Sequence, residues 1–242
     1  GNYLGFSGTG AEMRGASAVD IALWDIFGQA VDQPIHQLLG GLTRPSIRIY
    51  NTCAGYRYVR GNKGQLTRNW GLPSAGSEGP YEDLQAFLER ADELALSLLD
   101  QGITGMKIWP FDPAAEASNG LYISNADLAR ALEPFGKIRA AAGDRMDVMV
   151  EFHSLWNLPT AKRIVGALDE FKPFWYEDPI RMNNMDALAQ LAAVTRVPIC
   201  ASETLATRFA FRNLMARNAA GVIMCPDAIR PWRCRRSAGR RF

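Results

Sequence analysis

Cysteine is sparse in this chain, and the four present (Cys53, Cys200, Cys225 and Cys234) are too scattered for a disulfide framework and form no Cys-x-x-Cys pair. They are expected to be reduced and mostly buried. No apolar run approaches the roughly 18 to 20 residues that a membrane span requires, and the opening GNYLGFSGTGAEMRG lacks the basic-then-apolar order of a signal peptide. A soluble, cytoplasmic protein without a membrane partner is the expectation. Histidine is scarcer still, with only His36 and His153. There is no Gly-x-Gly-x-x-Gly turn, which removes the usual mark of a dinucleotide-binding sheet.

What is present is core material. The 242 residues are 48% hydrophobic, 10% aromatic and 21% charged, enough for one sizeable domain and too apolar for a disordered chain. The net charge of +2 hides an asymmetry: the 15 residues after Asp227 hold six of the 27 basic residues and no acid, so residues 1–227 carry 21 basic against 25 acidic side chains. A basic nucleic-acid surface is therefore no property of the body. Nucleic-acid binding would rest on Arg230 to Arg241 alone, and no nucleic-acid partner is expected.

From about residue 46 to residue 224, short β-branched runs alternate with longer amphipathic ones. Strands are predicted at 47–51, 105–109, 147–151, 174–177, 198–202 and 221–224, with helices at 82–100, 125–142, 159–168, 184–194 and 207–217. Strict alternation implies parallel pairing with right-handed crossovers. The predicted fold is α/β: an incomplete, TIM-like (β/α)8 barrel with about six strands, preceded by a helical remnant of an N-terminal capping domain. Residues 1–45 form that remnant, read as one helical stretch from Gly15 to Gly41; residues 46–227 form the partial barrel. Residues 228–242 are an Arg-rich tail without periodicity, which looks like a reading-frame change or an artificial gene end. The chain is expected to be truncated at both ends.

Three acids stand at the ends of three successive predicted strands. Glu151 closes Asp-Val-Met-Val-Glu, Glu177 closes Phe-Trp-Tyr-Glu, and Glu203 follows Ile-Cys-Ala-Ser, at intervals of 26 and 26 residues. In a barrel the C-terminal strand ends converge on one mouth, where active sites of such folds lie. Three carboxylates there would raise one another's pKa unless a cation neutralised them; all-oxygen ligation suits Mg²⁺ best, with Mn²⁺ possible. The plainer alternative is that each acid caps a helix or pairs with a nearby base, but three in register make that the weaker reading. Asp227, 24 residues beyond Glu203, continues the series by one strand.

Two further residues fall at the same mouth. Lys107 is either a base or anion clamp, or a surface lysine with a packed stem. His153, two residues past Glu151, points the same way if the strand continues, as an acid or as a packed residue. His36 reads as structural. The stretch from Ala54 to Pro80 would cover the mouth, with Tyr56, Arg57, Arg60, Lys63 and Trp70 as candidate substrate or lid contacts.

The segments Ser17-Ala-Val-Asp-Ile-Ala-Leu-Trp-Asp-Ile, Gly105-Met-Lys-Ile, Val150-Glu-Phe-His, Trp175-Tyr-Glu-Asp-Pro and Ala201-Ser-Glu-Thr resemble the enolase superfamily, in its mandelate racemase and muconate lactonizing enzyme branch. The resemblance implies a capping domain over a modified barrel, Mg²⁺ held by Glu151, Glu177 and Glu203, abstraction of the proton α to a carboxylate, and homo-oligomers in the full-length family. The run from Glu151 to Lys162 is similar to acid-sugar dehydratases of the galactonate type, which implies that His153 protonates the departing hydroxyl of a sugar acid. Trp109 stands where the racemase pattern places a second lysine, which weakens a two-base racemase; a racemase, epimerase or cycloisomerase of the same superfamily is the alternative activity. The family's base on the opposite face is a seventh-strand histidine oriented by a sixth-strand aspartate. Asp227 matches that aspartate, but no histidine follows it, so the expected dehydratase activity would be impaired. A non-catalytic metal- or anion-binding fragment is the alternative of another class.

Overall fold

The computed structural model describes residues 11–55 and 81–224. Helix α1 (Ala11–Ala30) is followed by a short α2 (Ile35–Leu38), so the predicted single helix over 15–41 is two pieces. Then come α3 (Asp83–Glu89) and α4 (Ala91–Asp100), β1 (Gly105–Ile108), α5 (Asp112–Ser118), α6 (Asn125–Ala142) and β2 (Asp147–Glu151). The chain continues through α7 (Leu158–Leu168), β3 (Tyr176–Glu177), α8 (Met185–Ala192), β4 (Ile199–Ala201), α9 (Thr207–Ala216) and β5 (Val222–Ile223). The strands pair in parallel in the order β1-β2-β3-β4-β5, as successive β/α units require.

Sequence and structure differ at three further elements. Six strands are predicted, and among the described residues five form the sheet. Residues 47–51 contribute only one bridge, Asn51 to Met106, with the Asn51 N–H donating to Gly105 O (3.0 Å) and the Lys107 N–H to Asn51 O (2.8 Å). Ile47 and Ile49 are exposed, and the segment is held instead by side chains, Arg48 on Thr104 and Asp147 and Tyr50 edge-on to Trp175. The predicted helix over 82–100 breaks at Arg90 (φ −135°, ψ 49°), where Lys137 Nζ donates to the freed carbonyl of Glu89 at 2.7 Å. An unpredicted helix, α5, fits between β1 and α6; Pro113 lies in its first turn, where a proline is tolerated.

Several helix starts have side-chain caps. Ser124 accepts from the Asp127 N–H, Asn157 from that of Thr160, and Asn184 from that of Ala187. The core lies between strands and helices. Met106, Ile108, Val148, Val150 and Tyr176 of the strands bury against Phe87, Leu94, Leu98, Phe135, Ile138, Ile164 and Leu188 of the helices. Among the described residues no helix is long and apolar enough to cross a membrane, and the described cysteines, Cys53 and Cys200, are buried free thiols.

Candidate active site at the strand ends

The pairing sets the height of each carboxylate. Glu151 is the register partner of Glu177, and Glu177 in turn of Cys200. Two of the three predicted acids therefore stand abreast at the ends of β2 and β3, while Glu203 lies three residues beyond the level of Cys200, past the end of β4. Equal spacing in sequence does not give equal height, because the intervening turns and helices differ in length.

Lys107 of β1 ties the first two together. Its Nζ donates to Glu151 Oε2 at 2.8 Å and to Glu177 Oε1 at 2.5 Å, and the residue is only 8% exposed, so the surface-lysine reading does not hold. Glu151 Oε1 accepts from the backbone N–H groups of Phe152 (3.1 Å) and His153 (2.9 Å); Glu177 Oε2 accepts from Trp175 Nε1 (3.0 Å). Burial opposes the lysine charge, but the two carboxylates lift its pKa above the ordinary range, so it stays an ammonium. Burial, then the hydrogen bond and charge of Glu151, raise Glu177 to about 8. Glu151 moves the other way: burial would raise it, but its bonds to Glu177 and Lys107 bring it below the usual glutamate value. The two are set apart by their surroundings, Glu151 kept ionised and Glu177 inclined to hold its proton.

Glu203 does not join them. Its side chain is exposed, and among the described residues no group of three His, Cys, Asp or Glu is set to hold a metal ion. It lies close enough for its charge to reach Asp178, whose carboxyl is buried and accepts from Ser202 Oγ at 2.9 Å. Burial first, opposed by the Ser202 bond and assisted by the charges of Glu151 and Glu203, raises Asp178 to about 7. Asp178 Oδ1 is buried without a hydrogen-bond partner among the described residues. Glu151, Glu177 and Asp178 are hard-oxygen donors of the kind a divalent cation takes, the last with an orphaned oxygen, but as placed they do not form a three-ligand set and Glu203 stands apart from them.

His153 sits in the turn after β2 with φ 50°, followed by Ser154 with φ 58°. Its Nδ1 is 2.7 Å from Asp112 Oδ2, and its ring meets Trp109 edge-on at 5.5 Å. Burial would lower the imidazole pKa, but the hydrogen bond and charge of Asp112, with the charge of Glu151, raise it. Sequence reasoning did not assign Asp112, Trp175, Asp178 or Ser202 to this neighbourhood; the last three lie in segments that carry the family resemblance, whereas no local pattern marks Asp112. Asp227 lies outside the described residues, as do Tyr56, Arg57, Arg60, Lys63, Trp70 and the arginine-rich tail.

Comparison with known proteins agrees with this architecture. Residues 89–230 match the family model "Enolase C-terminal domain-like", and residues 6–40 match "Mandelate racemase / muconate lactonizing enzyme, N-terminal domain". A D-galactonate dehydratase of Xanthomonas axonopodis pv. citri (strain 306) is 28% identical over 224 residues, 92% of this chain and 49% of that protein. A D-gluconate dehydratase of Thermoproteus tenax is 26% identical over 212 residues, 88% of this chain and 36% of that protein. The chain thus spans about half, or less, of these curated relatives. A solved enolase of the mandelate racemase subgroup from Agrobacterium tumefaciens is 51% identical, with a TM-score of 0.76, over 94% of this chain and 52% of that one. An enolase from Sargasso Sea environmental sequencing is 38% identical, with a TM-score of 0.77, over 94% and 53%. With both domain models matched in order and the parallel β/α sheet in place, the chain belongs to the enolase superfamily, in its mandelate racemase and muconate lactonizing enzyme branch.

Proposed function

We propose that this chain carries the chemistry of a Mg²⁺-dependent acid-sugar dehydratase. The proton α to a substrate carboxylate passes to a base on the face opposite His153, giving an enediolate, and the β-hydroxyl then leaves as water, protonated by His153, to give a 2-keto-3-deoxy acid. The observation that carries this reading is the convergence of Glu151 and Glu177, from paired strands, on the ammonium of Lys107 beside His153. Similarity to D-galactonate and D-gluconate dehydratases supports the substrate class.

Glu151, Glu177 and Glu203 would hold Mg²⁺, or Mn²⁺ by the same oxygen ligation. A divalent ion supplies positive charge as the dianionic enediolate develops, which makes that species accessible. Lys107, held cationic, acts as a fixed positive charge toward the substrate carboxylate rather than as a base. His153 gives a proton to the departing hydroxyl. Trp109 is buried against Phe87 and His153, so the position of a racemase's second lysine carries no base. Asp227 is the proposed orienting carboxylate for the proton acceptor on the opposite face.

The test is to incubate the 242-residue chain with Mg²⁺ and a panel of sugar acids that includes D-galactonate and D-gluconate, following 2-keto-3-deoxy product. Mg²⁺-dependent product, formed at the impaired rate expected from the sequence and lost in Glu177→Gln, is the expected result. Mg²⁺ binding without product from any sugar acid would favour the non-catalytic metal-binding alternative; epimer interconversion without loss of water would favour the racemase or epimerase one.

A further inference from the structure

Asp112 is a largely buried carboxylate whose charge suits the first turn of α5 but whose hydrogen-bond partner lies on another element. It opens α5, and the start of that helix has no side-chain cap from Phe111 before it. Its Oδ2 meets His153 Nδ1 at 2.7 Å across 41 residues of sequence, and its Oδ1 is buried without a hydrogen-bond partner among the described residues. Taking a carboxylate out of water costs free energy, and an orphaned buried oxygen in a folded protein calls for a reason. The contact that offsets this cost is the one to the imidazole.

His153 is constrained from its other sides as well. Its φ of 50° and that of Ser154 at 58° lie in a region few non-glycine residues adopt. The turn is held by the Phe152 and His153 N–H groups on Glu151 Oε1 and by the Ser154 N–H on Asp178 O at 2.8 Å. Trp109 stands edge-on to the ring and is itself backed edge-on by Phe87 at 5.2 Å. Such over-determination of a strained residue is characteristic of sites where orientation matters.

We propose that Asp112 is a positioning residue which, with Trp109 as a wall, holds His153 with its Nδ1–H toward the carboxylate and leaves Nε2 as the working nitrogen at the barrel mouth. The use of that nitrogen rests on the dehydratase reading above. In that step the Nε2 proton passes to the β-hydroxyl oxygen, and the Cβ–O bond breaks with its electron pair leaving on oxygen as water. The imidazole is left neutral in the Nδ1–H form, the tautomer whose hydrogen Asp112 accepts. A histidine side chain free in water favours the Nε2–H form, so Asp112 reverses the intrinsic preference.

The test is nitrogen NMR of the full chain labelled in its imidazoles, at a pH where they are neutral. With two histidines in the sequence, a His36→Gln variant assigns both sets of signals. The Nδ1–H tautomer is expected for His153, changing to Nε2–H in Asp112→Ala with His36 unaltered. An Nε2–H tautomer in the unsubstituted protein, or the same tautomer with and without Asp112, would overturn the proposal. Asp112→Leu, closer in size and equally without an acceptor, serves if the alanine variant does not fold, and the unsubstituted protein is decisive by itself. Because the tautomer is read without substrate, its outcome is independent of whether sugar acids are dehydrated. Where they are, Asp112→Ala should lower kcat about 100-fold with KM within about twofold, whereas a merely structural role would lower the active fraction and leave the tautomer of the folded molecules unchanged.

Discussion

Glu177 and Asp178 are sequence neighbours with buried carboxyls, raised to about 8 and about 7. In the unfolded chain both titrate near 4. Over the interval between, the folded protein keeps protons that the unfolded one releases. Their contribution to stability is therefore complete below about pH 4 and is lost as pH rises through about 7 to 8. Thermal unfolding of the Mg²⁺-free chain should give a lower Tm at pH 9 than at pH 6, with a weaker dependence in Glu177→Gln; a flat profile would contradict the burial assigned to these groups. Glu151, held down by its partners, works in the opposite sense and only in acid below the ordinary glutamate range. Lys107 supplies a second test. Removing it as Lys107→Met strands two buried carboxylates without their cation, which should cost about 3 kcal/mol at pH 8 in denaturant titration. An unchanged midpoint would show that the ammonium is dispensable to them. At this scale the sequence shows that Glu151 and His153 are two residues apart, but not that the chain turns left-handed between them and the next helix, nor that Asp112 waits 41 residues upstream. Contacts of that range leave no periodic trace.

Among the elements, the loop between α5 and α6 shows how a short segment positions the site. Gly120 has φ 70°, and a Cβ there would run into the Leu155 carbonyl in the turn that carries His153. The Asn157 N–H donates to Gly120 O at 3.0 Å, and Arg181 reaches Asn119 O at 2.7 Å, so β1, β2 and β3 are joined above their C-terminal ends. Gly120→Ala should destabilise the chain by about 2 kcal/mol or more. Gly143 is also at positive φ (57°), but a Cβ there would meet nothing within 4 Å, so Gly143→Ala should cost only about 1 kcal/mol. Equal effects in urea titrations would contradict the close approach at Gly120. Elements with a strong period were readable: α6 and β2 have the ends expected of them. Those that depend on tertiary contacts were not. The break at Arg90 is sustained by Lys137 from another helix, and residues 47–51 have strand-like composition but only a single bridge to β1.

For the whole molecule, the parallel sheet and its helices follow from alternation in the sequence, and the core is continuous from α3 to α9. The N-terminal helix is a different matter: Val19, Leu23, Ile26 and Phe27 of α1 are each at least half exposed. Clustered apolar exposure of this kind favours association, so sedimentation velocity should show the 242-residue chain self-associating as concentration rises. A monomer throughout would mean that this face is covered within the chain. The central claim is that acids from neighbouring strand ends bind one divalent ion. Calorimetric titration of the chain with Mg²⁺ tests it most directly. One ion per chain is predicted, with affinity falling by more than about tenfold, the least that losing even a hydrogen-bond partner of a ligand costs, in each of Glu151→Gln, Glu177→Gln and Glu203→Gln. No saturable binding, or binding indifferent to all three substitutions, would contradict the account.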